Sequence, residues 1–165
     1  MKNNVIKMFV FVILFVVFLT GCTTDDTEKN DEVISSSIGD LKFNMPVVFE
    51  KSKESSSDII FYNFDTSDNK NICLLDFSIS DYPEDNLQEV IEDNLLHEDN
   101  INYSTKNING EKWTVGYVKM SEKSISYSYA INYHNKLYQF DFDDYGSGNL
   151  CEDYRVMIEN SLDFK

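Results

Sequence analysis

The chain has few of the basic residues from which nucleic-acid-binding surfaces are built. Its 165 residues contain 14 Lys and Arg against 29 Asp and Glu, which gives a formal net charge of −15. Arg155 is the one arginine, and the lysines are scattered along the chain. Because binding to phosphates requires clustered positive charge, we expect no nucleic-acid partner.

Histidine and glycine are also scarce. Nothing in the sequence pairs either of the two histidines, His97 and His134, with a Ser or Cys that it could activate as a nucleophile. Two histidines cannot supply the three protein ligands of a catalytic zinc site, and the six glycines form no phosphate-binding loop. We therefore interpret both histidines as surface residues and predict that the protein is not an enzyme.

A hydrophobic run long enough to span a membrane is missing as well. The longest apolar run, residues 8 to 19, would rise roughly 18 Å as a helix, against about 30 Å for the hydrocarbon core of a bilayer. Lys2 and Lys7 precede this run. A positively charged start followed by a short apolar stretch is typical of a secretory signal.

The four residues Leu19-Thr20-Gly21-Cys22 follow at the end of the apolar run. This segment resembles the lipobox of bacterial lipoproteins. The resemblance implies that the Cys22 thiol receives a diacylglyceryl group and that a peptidase cuts between Gly21 and Cys22. Two acyl chains hold a protein stably on a membrane. We expect residues 1–21 to be a signal peptide and the mature protein to sit on the extracytoplasmic face of the cell membrane; an ordinary signal peptide with an incidental Cys is the alternative.

The mature chain is strongly acidic. Residues 22–37 are predicted to form the lipidated Cys22 and an acidic flexible linker, since residues 23 to 32 have no apolar side chain. From residue 22 onward the 12 basic and 29 acidic residues give a net charge near −17. We interpret this charge as keeping an exported domain soluble and away from anionic head groups. The alternative is a basic or cationic partner.

Residues 38–165 are predicted to form a single α+β domain in which an antiparallel sheet of about seven strands is flanked by two helices. Apolar and polar residues alternate in seven segments: 38 to 43, 58 to 64, 71 to 79, 103 to 108, 111 to 120, 124 to 133 and 136 to 143. Two other segments have helical spacing: Leu87, Val90, Ile91 and Leu95, and Cys151, Tyr154, Ile158 and Leu162. Asn109-Gly110 predicts a hairpin in the C-terminal meander.

The domain also resembles a second family, the PsbP-like domains of thylakoid-lumen proteins and bacterial lipoproteins. The matching features are Phe43-Asn44-Met45-Pro46 after a strand, the segment NINGEKWT at 107 to 114, and a final helix running into VMIENSLDF at 156 to 164. The resemblance implies an antiparallel sheet flanked by helices. It further implies action by binding other proteins rather than by catalysis, and it supplies no active-site motif.

Two cysteines remain after Cys22. Cys73 lies in a predicted strand, on the side of Leu75 and Phe77, and Cys151 begins the last predicted helix on its apolar side. Both are therefore expected to point into the core. A disulfide between them is one interpretation, because exported proteins can form such bonds, and two buried free thiols are the other.

The best candidate ligand site is the acidic segment from residue 141 to 152. Read as a twelve-residue calcium loop, it has Asp141, Asp143 and Glu152 at positions one, three and twelve, and Gly146 at position six. Tyr145 at position five does not fit, and a strand precedes the segment where the motif has a helix. Calcium is the only cofactor that the sequence suggests, and a solvated acidic connection is the simpler interpretation.

Aromatic residues are plentiful, and their spacing along the strands assigns most of them to the core. Tyr117, Tyr133 and Tyr145 fall on alternate faces and are the candidates for an exposed patch that a partner could contact. The sequence therefore predicts a lipid-anchored, non-enzymatic binding or accessory module with a protein partner at the membrane surface. The alternative is a small-ligand or calcium-binding lipoprotein that uses residues 141–152.

Overall fold

The computed structural model describes residues 32–65, 72–96, 99–146 and 149–165. The elements follow in the order β1 (Val33–Ile38), β2 (Leu41–Pro46), β3 (Glu50–Lys51), β4 (Ile59–Asp65), β5 (Ile72–Ser80), α1 (Leu87–Asn94), β6 (Asn102–Ile108), β7 (Glu111–Lys119), β8 (Ile125–Tyr133), β9 (Lys136–Asp144), α2 (Asn149–Glu159) and β10 (Asp163–Phe164). Two helices thus flank antiparallel sheets, which confirms the predicted α+β class.

The larger sheet has seven strands in the order β3-β4-β5-β9-β8-β7-β6. Strands β6 to β9 form the predicted meander, because each pairs antiparallel with the next along the chain. Asn109 and Gly110 make the two-residue turn between β6 and β7, with φ of 51° and 97°. Positive φ at both positions is the type I′ geometry that matches strand twist. The β4–β5 hairpin then joins the meander through β5 and β9.

A second sheet contains three strands in the order β1-β2-β10. Strand β1 takes in residues 33 to 37, which the sequence assigned to the flexible linker, and it pairs with β2 from Val33–Pro46 to Ile38–Leu41. The folded part of the chain therefore begins before residue 38. Gly39 and Asp40 form the turn between these strands. The first predicted strand, 38 to 43, therefore contains the end of β1, the turn and the start of β2.

One face of the seven-stranded sheet, called the inner face, is covered by α2 and the three-stranded sheet. Four aromatic rings stack in sequence across this core. The ring centroids of Phe43 and Phe77 are 3.7 Å apart, those of Phe77 and Phe140 are 4.8 Å apart, and those of Phe140 and Tyr129 are 5.0 Å apart. All four side chains are buried.

The opposite face, called the outer face, is covered only in part, by α1. Ile91 and Leu95 pack with Val118, Ala130 and Leu137 over strands β7, β8 and the start of β9. Gly116 of β7 lets the helix approach closely. A Cβ at that position would collide with Ile91, and it would lie 3.2 Å from Cγ2 of Ile101.

Among the described residues, every helix is too short or too polar to cross a bilayer. Residues 8 to 19, the apolar run of the proposed signal peptide, lie outside the described part of the chain.

Candidate functional site: an open groove on the outer face of the sheet

Helix α1 leaves the outer face of β4, β5 and the second half of β9 uncovered. Three large apolar side chains lie exposed there: Ile59, Phe61 and Leu74, with exposed fractions of 39%, 38% and 37%. These residues alternate with inward-pointing ones, so Ile60, Tyr62 and Leu75 of the same strands are buried in the core. This uncovered surface is the outer groove.

Carboxylates stand beside the apolar side chains in the outer groove. The strand registers place Phe61 opposite Asp76, and Asp76 opposite Asp141. In the next row, Leu74 lies opposite Asp143. Residues directly opposite each other on one face are in contact range, so the groove has a mixed apolar and acidic surface.

Two adjoining cavities make up the outer groove, with volumes of about 340 and 270 Å³. Both are lined by Phe61, Asp76 and Asp143. Glu54 joins the first cavity and Asp141 the second, while none of the described residues lining either cavity is Lys, Arg or His. The groove therefore has several carboxyl groups and no cation of its own among these residues.

The end of α1 positions the innermost carboxyl group. The Asn94 side-chain amide donates to both carboxylate oxygens of Asp141, at 3.2 and 3.1 Å, and to the Ser128 hydroxyl at 3.1 Å. Ser128 is completely buried. Asp141 is thus fixed at the boundary between the covered and uncovered parts of the outer face.

The carboxyl groups of the outer groove are difficult to ionise together. Burial, and then the nearby Asp143 carboxylate, raise the pKa of Asp76 to about 6. Burial, and then the Asp76 carboxylate, raise the pKa of Asp141 well above its ordinary value. Like charges in a partly desolvated site have this effect, and a nearby cation would oppose it.

Glu152, the last of the three proposed calcium ligands, lies on the other side of the sheet. Both of its carboxylate oxygens bind Arg155, at 2.6 Å from Nη2 and 2.9 Å from Nε. The Arg155 guanidinium in turn lies 4.2 Å from the centroid of the Tyr127 ring. Arg155 thus engages Glu152 on α2, which packs against the inner face, whereas Asp141 and Asp143 line the outer groove.

The structure therefore does not bring Asp141, Asp143 and Glu152 together. Residues 141 to 144 belong to strand β9 rather than to a loop, which separates successive side chains onto opposite faces. Within the described ranges there is no group of three His, Cys, Asp or Glu side chains placed to hold a metal ion.

Arg155 belongs to a buried polar network beneath α2. Its Nη1 donates to the Tyr129 hydroxyl and lies 2.5 Å from Oε2 of Glu159. Glu159 also accepts a hydrogen bond from Tyr129 at 2.6 Å and pairs with Lys106 at 2.8 Å. These contacts hold α2 on the sheet by satisfying charges that would be costly if buried alone.

Cys73 and Cys151 are joined in a disulfide, with their Cα atoms 5.7 Å apart. Both side chains are completely buried. The bond links the start of β5, in the middle of the sheet, to the first turn of α2 across 78 residues of chain. The sequence left open whether these cysteines form a disulfide or stay as free thiols, and the structure has the disulfide.

The other residues singled out from the sequence lie outside the outer groove or outside the described residues. Gly21, Cys22 and His97 lie outside the described residues, and His134 is exposed in the β8–β9 turn. Tyr117 lies opposite Tyr127 of strand β8, and Tyr133 is six residues further along that strand. Tyr117 and Tyr133 are therefore too far apart to form one patch. Tyr133 instead stacks on Phe164, with a centroid distance of 4.0 Å.

Comparison with known proteins shows similarity in structure only. Neither the family models nor the curated proteins give a match to the chain. The chain is similar to the solution structure of cyanobacterial PsbP (CyanoP) from Synechocystis sp. PCC 6803, with a TM-score of 0.52 and 13% identity over 81% of this chain and 92% of that one. The fold is PsbP-like. A crystal structure from Bacteroides thetaiotaomicron VPI-5482 gives a TM-score of 0.52 and 11% identity over 82% of this chain and 49% of that one.

The PsbP-like fold confirms the architecture that the sequence resemblance implied, but the outer groove was not foreseen. Phe61 lies in the predicted strand 58 to 64, and strand spacing assigned most aromatic residues to the core, although the Phe61 side chain points outward. Strand β4 is apolar on both faces from Ile59 to Tyr62, so the sequence of this segment does not reveal which face is buried. The available signal was in β5, where Asp76 and Ser78 alternate with the buried Leu75 and Phe77 and so mark the open face.

Proposed function

We propose that the protein is a membrane-tethered binding module that acts without catalysis. In this proposal, a diacylglyceryl group on Cys22 anchors the mature chain to the extracytoplasmic face of the cell membrane. The acidic linker connects the anchor to the folded domain. The outer groove of the PsbP-like domain then binds a protein partner at the membrane surface.

The observation that carries the binding proposal is the uncovered half of the outer face. An antiparallel sheet commonly has one face in the core and one in water, but the water-facing side is normally polar. Here Ile59, Phe61 and Leu74 are each more than a third exposed and close together on neighbouring strands. A group of large exposed apolar side chains is typical of a surface that a partner covers.

The outer groove suits binding better than it suits chemistry. It is open to solvent, and its described lining consists of apolar, amide, hydroxyl and carboxyl side chains. Tethering would strengthen even a weak interaction, because an anchored domain stays in a thin layer over the membrane and so has a high effective concentration towards a membrane-bound partner.

The test is a pull-down of tagged full-length protein from intact cells after brief cross-linking, compared with the Cys22→Ser variant. We expect one protein in near-stoichiometric amount with the parent and much less with the variant. The mass of the mature N-terminal peptide reports separately whether Cys22 is lipidated. If neither form enriches a protein, the binding proposal is wrong; if the peptide mass shows no lipid, the anchor is wrong.

A further inference from the structure

The chemistry of the outer groove identifies the kind of partner it accepts, on the assumption that the proposed binding function holds. We infer that the groove binds a protein segment that presents a Lys or Arg side chain flanked by apolar side chains. The cation would lie among the carboxyl groups of Asp76, Asp141 and Asp143, and the apolar side chains would cover Phe61 and Leu74.

The groove is complementary in charge to a cation. Four carboxyl groups line the groove, those of Glu54, Asp76, Asp141 and Asp143, and no described lining residue is basic. Asp141 has an amide partner in Asn94, which is neutral and leaves the charge of the cluster unbalanced. A cation entering the groove would therefore gain several attractive contacts, and anionic segments or lipid head groups would be repelled.

A bound cation would also offset the unfavourable ionisation of the carboxyl groups in the groove. Burial raises the pKa of Asp76 and of Asp141, and the neighbouring carboxylates raise both further, so ionising these groups in the groove is unfavourable. A bound ammonium or guanidinium group would stabilise the ionised forms. Binding should then release or exclude protons, and it should weaken as the pH falls below the pKa of Asp76, near 6.

Apolar side chains lie around the carboxylates of the groove. Ile59 and Phe61 are two residues apart on β4, which places their Cα atoms roughly 7 Å from each other. Phe61 lies beside Asp76, and Leu74 beside Asp143. A ligand with charge alone would leave these side chains in water, whereas a peptide with neighbouring apolar side chains would cover them.

The groove is divided into two small cavities, with volumes of about 340 and 270 Å³, that share Phe61, Asp76 and Asp143. Because the two cavities adjoin and are open to solvent, they fit two neighbouring side chains of one segment.

The test uses a photo-reactive amino acid, p-benzoylphenylalanine, in place of Leu74 in the full-length protein in intact cells. The control has the same amino acid in place of Val156, which is exposed on α2. After irradiation, the cross-linked peptide of the partner is sequenced by mass spectrometry. We expect an adduct from position 74 whose partner segment contains Lys or Arg within a few residues of apolar side chains.

A charge test accompanies the cross-link. Asp76→Asn with Asp143→Asn should reduce the adduct yield at least fivefold. Asp99→Asn with Glu122→Gln removes the same charge from exposed positions outside the groove and should leave the yield unchanged.

The outcomes separate this inference from the proposed function. An adduct from position 74 with a segment that lacks Lys and Arg, or a yield insensitive to the Asp76 and Asp143 substitutions, overturns the inference and leaves the binding function standing. An adduct from position 156 alone does the same, because the partner then contacts another surface. No adduct from either position, together with an empty pull-down, overturns both.

Discussion

The two faces of the seven-stranded sheet are built from the same strands, yet they differ in how completely they are closed. On the inner face, α2 and the three-stranded sheet cover stacked aromatic rings, and a buried disulfide and the Arg155 network hold α2 in place. On the outer face, the eight-residue helix α1 covers only β7, β8 and the start of β9. The rest is left as an acidic and apolar groove.

This difference suggests a division of roles between stability and binding. The inner face accounts for most of the buried apolar surface and every described covalent or ionic link to α2. The outer groove holds exposed apolar side chains and carboxyl groups with raised pKa values, neither of which helps folding. Features that cost stability without an internal benefit are typical of functional surfaces.

The largest expected difference between the faces is the effect of deleting a phenyl ring. Phe140→Ala removes a completely buried ring from the inner stack and should lower the free energy of unfolding by about 3–5 kcal/mol. Phe61→Ala in the outer groove should cost under about 1 kcal/mol, because that ring is already 38% exposed. Denaturant unfolding of both variants measures the difference, and equal losses would contradict the division of roles.

The disulfide should make the next largest contribution. Replacing both Cys73 and Cys151 by Ala removes a link across 78 residues and should destabilise the domain by about 2–5 kcal/mol. The midpoint of denaturation measures this loss. A reducing agent should lower the midpoint of the parent and leave that of the double variant unchanged; an identical midpoint for both proteins without reductant would show that the bond does not stabilise the inner face.

The covered half of the outer face can be tested at Gly116. Gly116→Ala adds a methyl group where Ile91 packs, so it should destabilise the domain by about 1–3 kcal/mol. Combined with Gly116→Ala, Ile91→Ala should cost less than the sum of the two single losses, because it removes the Cγ2 methyl group that the new methyl group meets. Additive losses in the double variant would show that α1 does not pack against β7 as described.

The smallest expected effect is a gain of stability at Asp76. Its folded-state pKa of about 6 lies above the ordinary value of 3.8, so between these values the folded protein binds more protons than the unfolded chain. The stability due to this carboxyl group is therefore present below pH 4 and lost as the pH rises through 6. Asp76→Asn should stabilise the protein at pH 7 by about 1 kcal/mol, allowing for screening by water in the open groove.

This gain should shrink as the pH falls and vanish below about pH 3, where the carboxyl group is mostly protonated in both states. Glu122→Gln, an exposed substitution outside the groove, serves as the control and should show no such pH-dependent difference. A loss of stability for Asp76→Asn at pH 7 would mean that the carboxylate supports the fold rather than a ligand.

The sequence predicted the regular parts of the fold well because their signals are local. Asn109-Gly110 specified its hairpin, and the strict alternation in β8 and β9 specified the meander. Strand β1 was missed because Ser35, Ser36 and Ser37 give no alternation. Its pairing with β2 depends on backbone hydrogen bonds that apolar patterns do not reveal, although Gly39-Asp40 was a usable turn signal.

The candidate site was harder to predict because it is the part of the outer face that α1 leaves uncovered, and the length of sheet that a helix covers is not visible in local sequence patterns. The acids Asp141 and Asp143 were singled out, but with Glu152 as a third partner. Distance along the chain suggested one loop, whereas strand alternation and Arg155 place Glu152 on the other side of the sheet. Asp76 joins the other two acids only through the register of β5 and β9, which requires knowledge of strand order.

The most direct test of the open outer face as a binding surface is a cross-linking pull-down with the full-length Phe61→Ser, Leu74→Ser variant beside the parent. Thermal unfolding of the same samples serves as the control for folding. We expect the variant to lose the partner while its melting temperature stays within a few degrees of the parent. Recovery of the partner at the parental level by the folded variant would contradict a binding role for this face.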